Sequence, residues 1–346
     1  PCALVVSVPL SFFGGIGGAS RKGILIKGGN YMDALAHIDT VVLDKTGTLT
    51  QGTFAVEAIH PDSLSEKELL HLAAHVEHFS HHPIAVALQG AYQHVGDGCT
   101  TNHVHEVVGK GIVADVNGHR VAVGNERMME AEGATLHPCK RCEGHAGTVV
   151  HVAIDGRYAG HVVISDQVKA DASEALRALR QLGVKQTVML TGDKEAVARQ
   201  VALQVGIDSY AAELLPADKV DRVERLIQQQ SQEKGTLAFV GDGINDAPVL
   251  ARADVGIAMG VMGSDAAIDA ADVVLMDDKP SKIAEAIRIA RRTIANARQN
   301  VIFAIVVKAL VLLLASVGVA TMGMAVFADV GVMVLCVLNS MRTLRV

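Results

Sequence analysis

Three short apolar runs in this chain each end in a loop of small and acidic residues, and that repetition constrains the fold more than any other feature. Thr40-Val41-Val42-Leu43 leads into Asp44-Lys45-Thr46-Gly47-Thr48. Val184 to Leu190 leads into Thr191-Gly192-Asp193, and Leu237-Ala238-Phe239-Val240 leads into Gly241-Asp242-Gly243-Ile244-Asn245-Asp246-Ala247-Pro248. After the second loop, apolar residues from Lys194 to Val205 recur at helical spacing. Strand, loop and helix alternating in this way read as an α/β doubly wound sheet, whose ligand sites lie outside the C-terminal ends of the strands. The three loops are therefore expected to converge on one crevice.

An isolated Asp at a strand end is usually part of a polar turn. Three converging loops instead make Asp44 a candidate nucleophile toward a phosphoryl group. Attack on the highly charged γ-phosphate of ATP needs a divalent cation and donors around the transferring oxygens. Asp44 and Asp242 are the natural Mg²⁺ ligands, being hard oxygen donors, with a backbone carbonyl near Thr46. Thr191 can hydrogen-bond a phosphate oxygen. Lys219, near the start of a helix in Pro216-Ala217-Asp218-Lys219, can supply positive charge, and Asn245 with Asp246 can fix the loop.

Both ends of the chain are far more apolar than residues 36–290. Val301–Val319 and Met322–Leu338 are each about long enough to cross a hydrocarbon core and read as a transmembrane hairpin. Arg288, Arg291, Arg292 and Arg298 precede it and Arg342 and Arg345 follow it, which puts both of its ends on the cytoplasmic side. Lys308 and Asp329 interrupt these spans. An ionisable group at bilayer depth costs about 2.5–3.5 kcal/mol, so the two are expected to form a functional pair. The N-terminal run Ala3–Leu10 is too short to span alone. Gly14-Gly15-Ile16-Gly17-Gly18 follows it and is expected to bend the helix end at the membrane surface; no strand precedes it and no Gly-Lys-Ser/Thr follows, so it is not a phosphate loop. The chain starts at Pro1-Cys2 without an initiator Met and reads as a fragment.

The segment from about 52 to 160 interrupts the sheet after its first strand and reads as an inserted domain. Ser80-His81-His82-Pro83 is expected to end a helix there, while Gly109-Lys110-Gly111-Ile112 and Gly124-Asn125 mark tight turns where a flat ligand could approach backbone. The net charge of −6, with no basic stripe and no Trp, argues against nucleic acid as a partner. The five cysteines form no disulfide framework, so a reduced cytosolic setting is the better default. His71, His75, His78 and His82 are spaced to lie on one helical face, and His137-Pro138-Cys139-Lys140-Arg141-Cys142 with His145 has metal-ligand spacing. Each is either an accessory metal site or an ordinary solvated surface.

Taken together, these residues resemble the C-terminal portion of a heavy-metal-transporting P-type ATPase. Asp44 to Thr48 is similar to that family's phosphorylation motif, Thr191-Gly192-Asp193 and Gly241 to Pro248 to its phosphate and Mg²⁺ loops, and His82-Pro83 to its nucleotide-domain signature. The resemblance implies a haloacid-dehalogenase-like phosphorylation domain in two parts, 38–51 and 161–290, around an α+β nucleotide-binding domain at 52–160. It also implies the end of a metal-motif helix at 1–18, cytoplasmic stalks at 19–37 and 291–300, and transmembrane helices at 301–319 and 322–338. His82, Pro83, Gly109, Gly111 and Gly124 would then surround the adenine part of ATP. Asp44 would become a transient aspartyl phosphate, with Lys45, Thr46, Gly192 and Asp193 as parts of its motifs. Pro1-Cys2 resembles the end of the family's Cys-Pro-Cys metal motif.

Copper pumps of this family carry Tyr, Asn, Met and Ser in their last two spans, whereas Lys308 and Asp329 resemble the Zn²⁺/Cd²⁺/Pb²⁺ exporters. Thiolate with carboxylate suits a borderline divalent ion better than Cu⁺. In that reading Cys2 and Asp329 hold the transported ion and Lys308 pairs with Asp329 when the site is empty. The family's glutamate-bearing actuator loop and earlier membrane helices would belong to an N-terminal part of the same pump. The rival reading is a soluble aspartate-based phosphatase. Such enzymes carry a second Asp two residues after the nucleophile as acid/base, and here that residue is Thr46, which favours a persistent phosphoenzyme.

Overall fold

The computed structural model describes residues 2–80, 82–92, 98–137, 147–231, 235–242, 246–260 and 265–345. The chain divides into two compact units, residues 1–49 with 169–346 and residues 50–168. Strands β1 (Ile24–Ile26) and β2 (Ile38–Asp44) precede the second unit. That unit holds β3 (Thr50–Pro61), β4 (Thr101–Val107), β5 (Gly111–Val116), β6 (His119–Gly124), β7 (Thr148–Ile154) and β8 (Arg157–Val168). Then β9 (Gln186–Leu190), β10 (Ser209–Ala211), β11 (Thr236–Gly241), β12 (Val255–Met259) and β13 (Val273–Leu275) complete the first unit.

The first unit's sheet has the order β1-β13-β12-β11-β2-β9-β10, with only β1 antiparallel to its neighbour. The expected doubly wound α/β arrangement is present. Strand β2 sits in the middle and is buried on both faces, as its nearly unbroken apolar run requires of a parallel strand covered by helices. Val42, Val188, Leu190, Leu237 and Phe239 form the core, with Val223 and Leu226 of the helix Pro216–Ser231 and Leu250 of the helix Ala247–Arg252.

Register sets the site. Asp44 pairs with Leu190 of β9, and Leu43 with Val240 of β11. Thr191 and Asp242 therefore leave the sheet beside Asp44, and three loops open at one level outside the strand ends.

The second unit is a six-stranded antiparallel sheet of order β3-β8-β7-β6-β5-β4. The helices Glu66–Val76 and Pro83–Ala91 bury Leu69, Ala73, Val76, Ala87 and Leu88 against Val116, Val121, Val123, Val152 and Ile164. The helix Glu126–Ala131 contributes Met128 and Met129 to a separate cluster with Val113, Ala122 and Tyr158. Alternate residues of β5 and β6 enter the two clusters, as the two-residue period of a strand dictates.

Among the described residues, three helices are long and apolar enough to cross a membrane: Ala3–Arg21, Ser281–Ser316 and Met322–Arg345. The first corrects an expectation. The helix Cys2–Arg21 continues through Gly14, Gly15, Gly17 and Gly18 rather than ending at the glycines. A Cβ on Gly14 would overlap the Thr343 hydroxyl, one on Gly15 would overlap Thr293, and one on Gly18 would press on the Thr343 carbonyl. The glycines thus let the other two helices approach closely, the role small residues take in membrane helix packing. Polar side chains bridge the same interface. Ser11 Oγ donates to Asn296 Oδ1 at 3.1 Å, Asn300 Nδ2 donates to Ser340 Oγ at 2.9 Å, and Thr343 Oγ1 donates to the Ser11 carbonyl at 3.1 Å.

Candidate active site

Asp44 is buried at the end of β2, and Lys219 Nζ lies 2.5 Å from its Oδ1. The same Nζ lies 2.9 Å from Asp246 Oδ1, so one ammonium bridges two buried carboxylates. Asp242 joins them: a carboxylate oxygen from each of Asp44, Asp242 and Asp246 falls within 4.8 Å of the others. Burial, reinforced by the charge of Asp246, pushes the Asp44 carboxyl up to about 7 despite Lys219. The same two causes push Asp242 up to about 6. Burial pulls Lys219 down, but its two carboxylate partners outweigh this and its pKa is raised.

Three carboxylates thus face one ammonium, and when all are ionised the cluster carries two surplus negative charges. A hard divalent cation is the natural counter-charge for such an all-oxygen donor set. The carboxylates of Asp44 and Asp242, two of the expected Mg²⁺ ligands, fit that requirement.

The loop after β2 is shaped around Asp242. Gly47 has φ of 70°, and a Cβ there would overlap Asp242 Oδ2. Lys169 Nζ donates to the Gly47 carbonyl at 2.6 Å and pairs with Asp278 at 3.0 Å, holding the loop from outside the motif. We expect Gly47→Ala to reduce phosphorylation by labelled ATP by about a hundredfold, because an ångström-scale displacement of Asp242 or of the loop misaligns the reacting groups. A label yield equal to the wild type's would contradict this.

Thr191, one residue past β9, is buried, and its Oγ1 accepts from the backbone N–H of Asp193 at 3.1 Å. Asp193 pairs with Lys45 at 2.9 Å, tying the second loop to the first. Gly192 lies between them, with the Leu214 carbonyl close to where its Cβ would be. Asn245 is outside the described residues.

The expected nucleotide residues lie in the second unit. Ser80 ends a helical stretch, as expected of its segment, by capping the 3₁₀ turn Glu77–Phe79, and His82 then begins the next helix. It caps the start of Pro83–Ala91, its Nδ1 accepting from Ile84 N–H at 3.3 Å, with Pro83 at the first helical position. For the same reason the expected four-histidine face is broken: Glu66–Val76 carries His71 and His75, His78 lies in the following 3₁₀ turn, and His82 precedes the next helix. Gly111 and Gly124 face each other across β5 and β6. Their missing Cβ atoms are explained by backbone packing, on the Val123 carbonyl and the Lys110 carbonyl respectively. Gly109 has φ of 71° and open space where a Cβ would be, and Asn125 Nδ2 donates to its carbonyl at 2.9 Å.

In the apolar helices, Lys308 Nζ lies 3.6 Å from Asp329 Oδ1. Asp329 sits in a π-turn, Phe327–Gly331, a local widening of the helix of the kind often found at functional sites. The backbone of Cys2 opens the first helix, and its neighbour Ala3 packs with Ala304, Val332 and Cys336. Cys139, Cys142 and His145 are outside the described residues.

Sequence reasoning missed two buried groups. Lys169 could be recognised only through its contact with Gly47, 122 residues away in sequence. Glu77 is buried next to the signature segment, and burial followed by the charge of Glu106 pushes it up to about 7. Its position directly before a predicted helix end was the one available signal.

A doubly wound sheet with an Asp nucleophile candidate, a bridging Lys and a further Asp pair at adjacent strand ends defines an aspartate-based phosphoryl-transfer class. The haloacid dehalogenase-like hydrolase family matches residues 38–254, and the chain belongs to that family. The resemblance read from the motifs holds. The chain is 53% identical over 344 residues to a zinc-transporting ATPase of Synechocystis sp., covering 99% of this chain and 47% of that protein. It is 52% identical over 346 residues to a cadmium, zinc and cobalt-transporting ATPase of Bacillus subtilis, covering 100% and 49%. Among solved structures, a zinc-transporting PIB-type ATPase in an E2.Pi state is 39% identical with a TM-score of 0.90, covering 100% of this chain and 56% of that one. The chain therefore spans about half the length of the curated relatives it matches.

Proposed function

We propose that this chain is the phosphorylation, nucleotide-binding and terminal membrane part of an ATP-driven pump that exports Zn²⁺, Cd²⁺ or Pb²⁺. The observation that carries this reading is the buried Asp44, bridged by Lys219 to Asp246 at the ends of adjacent parallel strands. Asp44 Oδ attacks the γ-phosphorus of ATP, a carboxyl–phosphoryl bond forms, the bond to ADP breaks, and ADP leaves with the electron pair. Lys219 holds the carboxylate in place and offsets charge that would otherwise repel the phosphate. The Thr191 hydroxyl and the backbone amides of the Asp44–Thr48 loop receive the transferred oxygens. Asp44, Asp242 and the Thr46 carbonyl would hold Mg²⁺, which would supply further positive charge to the phosphate. With Thr46 in place of a second Asp, the chain lacks the acid/base that hydrolyses the product rapidly in soluble phosphatases, which favours a persistent phosphoenzyme.

His82, Pro83, Gly109, Gly111 and Gly124 take the nucleotide in the second unit, and that unit and the sheet of the first lie on the cytoplasmic face of the cell membrane. The transported ion binds Asp329 together with Cys2. The Lys308–Asp329 pair supports this, because two half-exposed charges in otherwise apolar helices are costly without a task. When the ion leaves, the Lys308 ammonium replaces it as the partner of Asp329.

The test uses the full-length pump containing this chain. Brief incubation with γ-labelled ATP is expected to give an acid-stable label that hydroxylamine releases, and Zn²⁺ is expected to stimulate ATP hydrolysis. Asp329→Ala should remove most of that stimulation. Stimulation by Zn²⁺ and Cd²⁺ that survives Asp329→Ala unchanged sinks the ion-site assignment, while absence of the label sinks the phosphoenzyme.

A further inference from the structure

We propose that His71, His75 and Cys99 form a metal site for a borderline nitrogen- and sulfur-seeking ion such as Zn²⁺ in the second unit, separate from the membrane ion site and the Asp44 cluster. The helix Glu66–Val76 places His71 and His75 four residues apart on one face, with ring centroids 4.6 Å apart. Cys99, just before β4, brings its Sγ within 3.0 Å of His71 Nε2. One donor atom from each of the three residues lies within 4.8 Å of the others, and all three residues are half-buried.

The surroundings hold this arrangement ready. Tyr92 stacks on the His71 ring at 5.1 Å with an interplanar angle of 9°, restricting its rotation. Asn117 Nδ2 donates to Cys99 Sγ at 3.1 Å, which fixes the position of the sulfur. Asn117 also fixes the Cys99 loop, its Oδ1 accepting from Thr100 N–H and its own N–H donating to the Thr100 carbonyl, both at 3.0 Å. On the open side, a cavity of about 230 Å³ reaches His75, Tyr92 and Cys99 and also His78. It leaves room for a water or the His78 imidazole to complete four-fold coordination.

Two imidazoles and a thiolate contain no hard oxygen donor, so the set suits Zn²⁺ or Co²⁺ and discriminates against Mg²⁺ and Ca²⁺. Binding takes the Cys99 thiol to the thiolate and releases its proton to solvent. The inference does not depend on the transport reading, since it uses none of the membrane residues.

The experiment uses the whole chain in detergent, carrying Cys2→Ser and Asp329→Ala to remove the membrane candidates. Alkylation of Cys99 is followed by peptide mass with and without micromolar Zn²⁺. Zn²⁺ is expected to slow modification by about tenfold or more, since a metal-held thiolate is withheld from the reagent, and a chelator restores the rate. In the same background His75→Ala should abolish the protection, while circular dichroism shows the fold of that background unchanged. Co²⁺ should give a thiolate charge-transfer absorption that is lost in Cys99→Ser and in His75→Ala. Equal alkylation rates with and without Zn²⁺, or protection that persists in His75→Ala, overturn the site.

Discussion

Asp44→Asn yields no acid-stable label from γ-labelled ATP, while the protein still folds and still binds nucleotide. The substitution keeps the size and hydrogen-bonding reach of the side chain but removes the oxygen that forms the carboxyl–phosphoryl bond, so the loss is of chemistry rather than of structure. A drop below about one-thousandth of wild-type labelling is expected, in line with removal of a covalent nucleophile whose neighbours act with it as a unit. Folding is not impaired, because an amide at this buried position relieves the repulsion from Asp246 that accompanies burial in raising Asp44 to about 7. The variant should melt at or above the wild-type temperature at pH 8. Label that survives Asp44→Asn at wild-type yield would place the acceptor elsewhere.

Lys219→Met has the second-largest effect and acts on both stability and labelling. The substitution leaves Asp44 and Asp246 buried without the ammonium that bridges them at 2.5 and 2.9 Å. Removing one partner of a buried charge pair typically costs about 3–5 kcal/mol. The sign with pH follows from the direction of the carboxyl shifts. Without Lys219 the Asp44 pKa rises further above its value of about 7, so the folded state holds the proton more tightly than the unfolded chain does. The stability deficit of the variant is then largest at pH 8 and shrinks as pH falls below 7 and the carboxyl is protonated. Labelling at pH 7 should fall by about a hundredfold or more, because a protonated acid is a poor nucleophile and the phosphate meets less positive charge. Lys219→Arg should not restore it, since a planar fork does not reproduce one point charge shared by two carboxylates. Melting curves from pH 6 to pH 8 decide the matter: a Lys219→Met deficit that is independent of pH would show that the bridge is not electrostatic.

Much of this site was legible because parallel sheets put chemistry at strand ends, and a strand ending in small and acidic residues is visible in sequence. Asp44, Thr191 and Asp242 are adjacent because their strands are neighbours in register. Local pattern cannot give contacts between distant segments. Lys169 looks like an ordinary polar residue until its ammonium is found on the Gly47 carbonyl. Cys99 reads as a stray thiol until the fold brings it to His71. The N-terminal glycines were misleading in the opposite sense. Glycine lowers helix propensity in isolation, yet against Thr293 and Thr343 its lack of a side chain is what lets the helices meet. The segment read as a helix end also opens the next helix: Ser80 caps the 3₁₀ turn Glu77–Phe79 and His82 caps Pro83–Ala91, a double role that Pro83 alone does not reveal in sequence.

The helix Ser281–Ser316 has a mechanical consequence. Its 36 residues contain neither Pro nor Gly, and the helix runs without interruption. One end is fastened to the sheet unit: Asp171 accepts from the Ser281 N–H at 3.0 Å, and Arg291 Nε donates to the Ala36 carbonyl at 3.0 Å while another of its nitrogens reaches the Leu182 carbonyl. Lys308 lies about 40 Å further along, at about 1.5 Å per residue. A rod of that length has no joint in which to absorb a rotation. A 10° tilt at the Ser281 end would displace Lys308 by roughly 7 Å, about twice its present separation from Asp329 of 3.6 Å. Lever and load are one piece of backbone, so a small angular change of the helix at the sheet is enough to break or remake the Lys308–Asp329 pair.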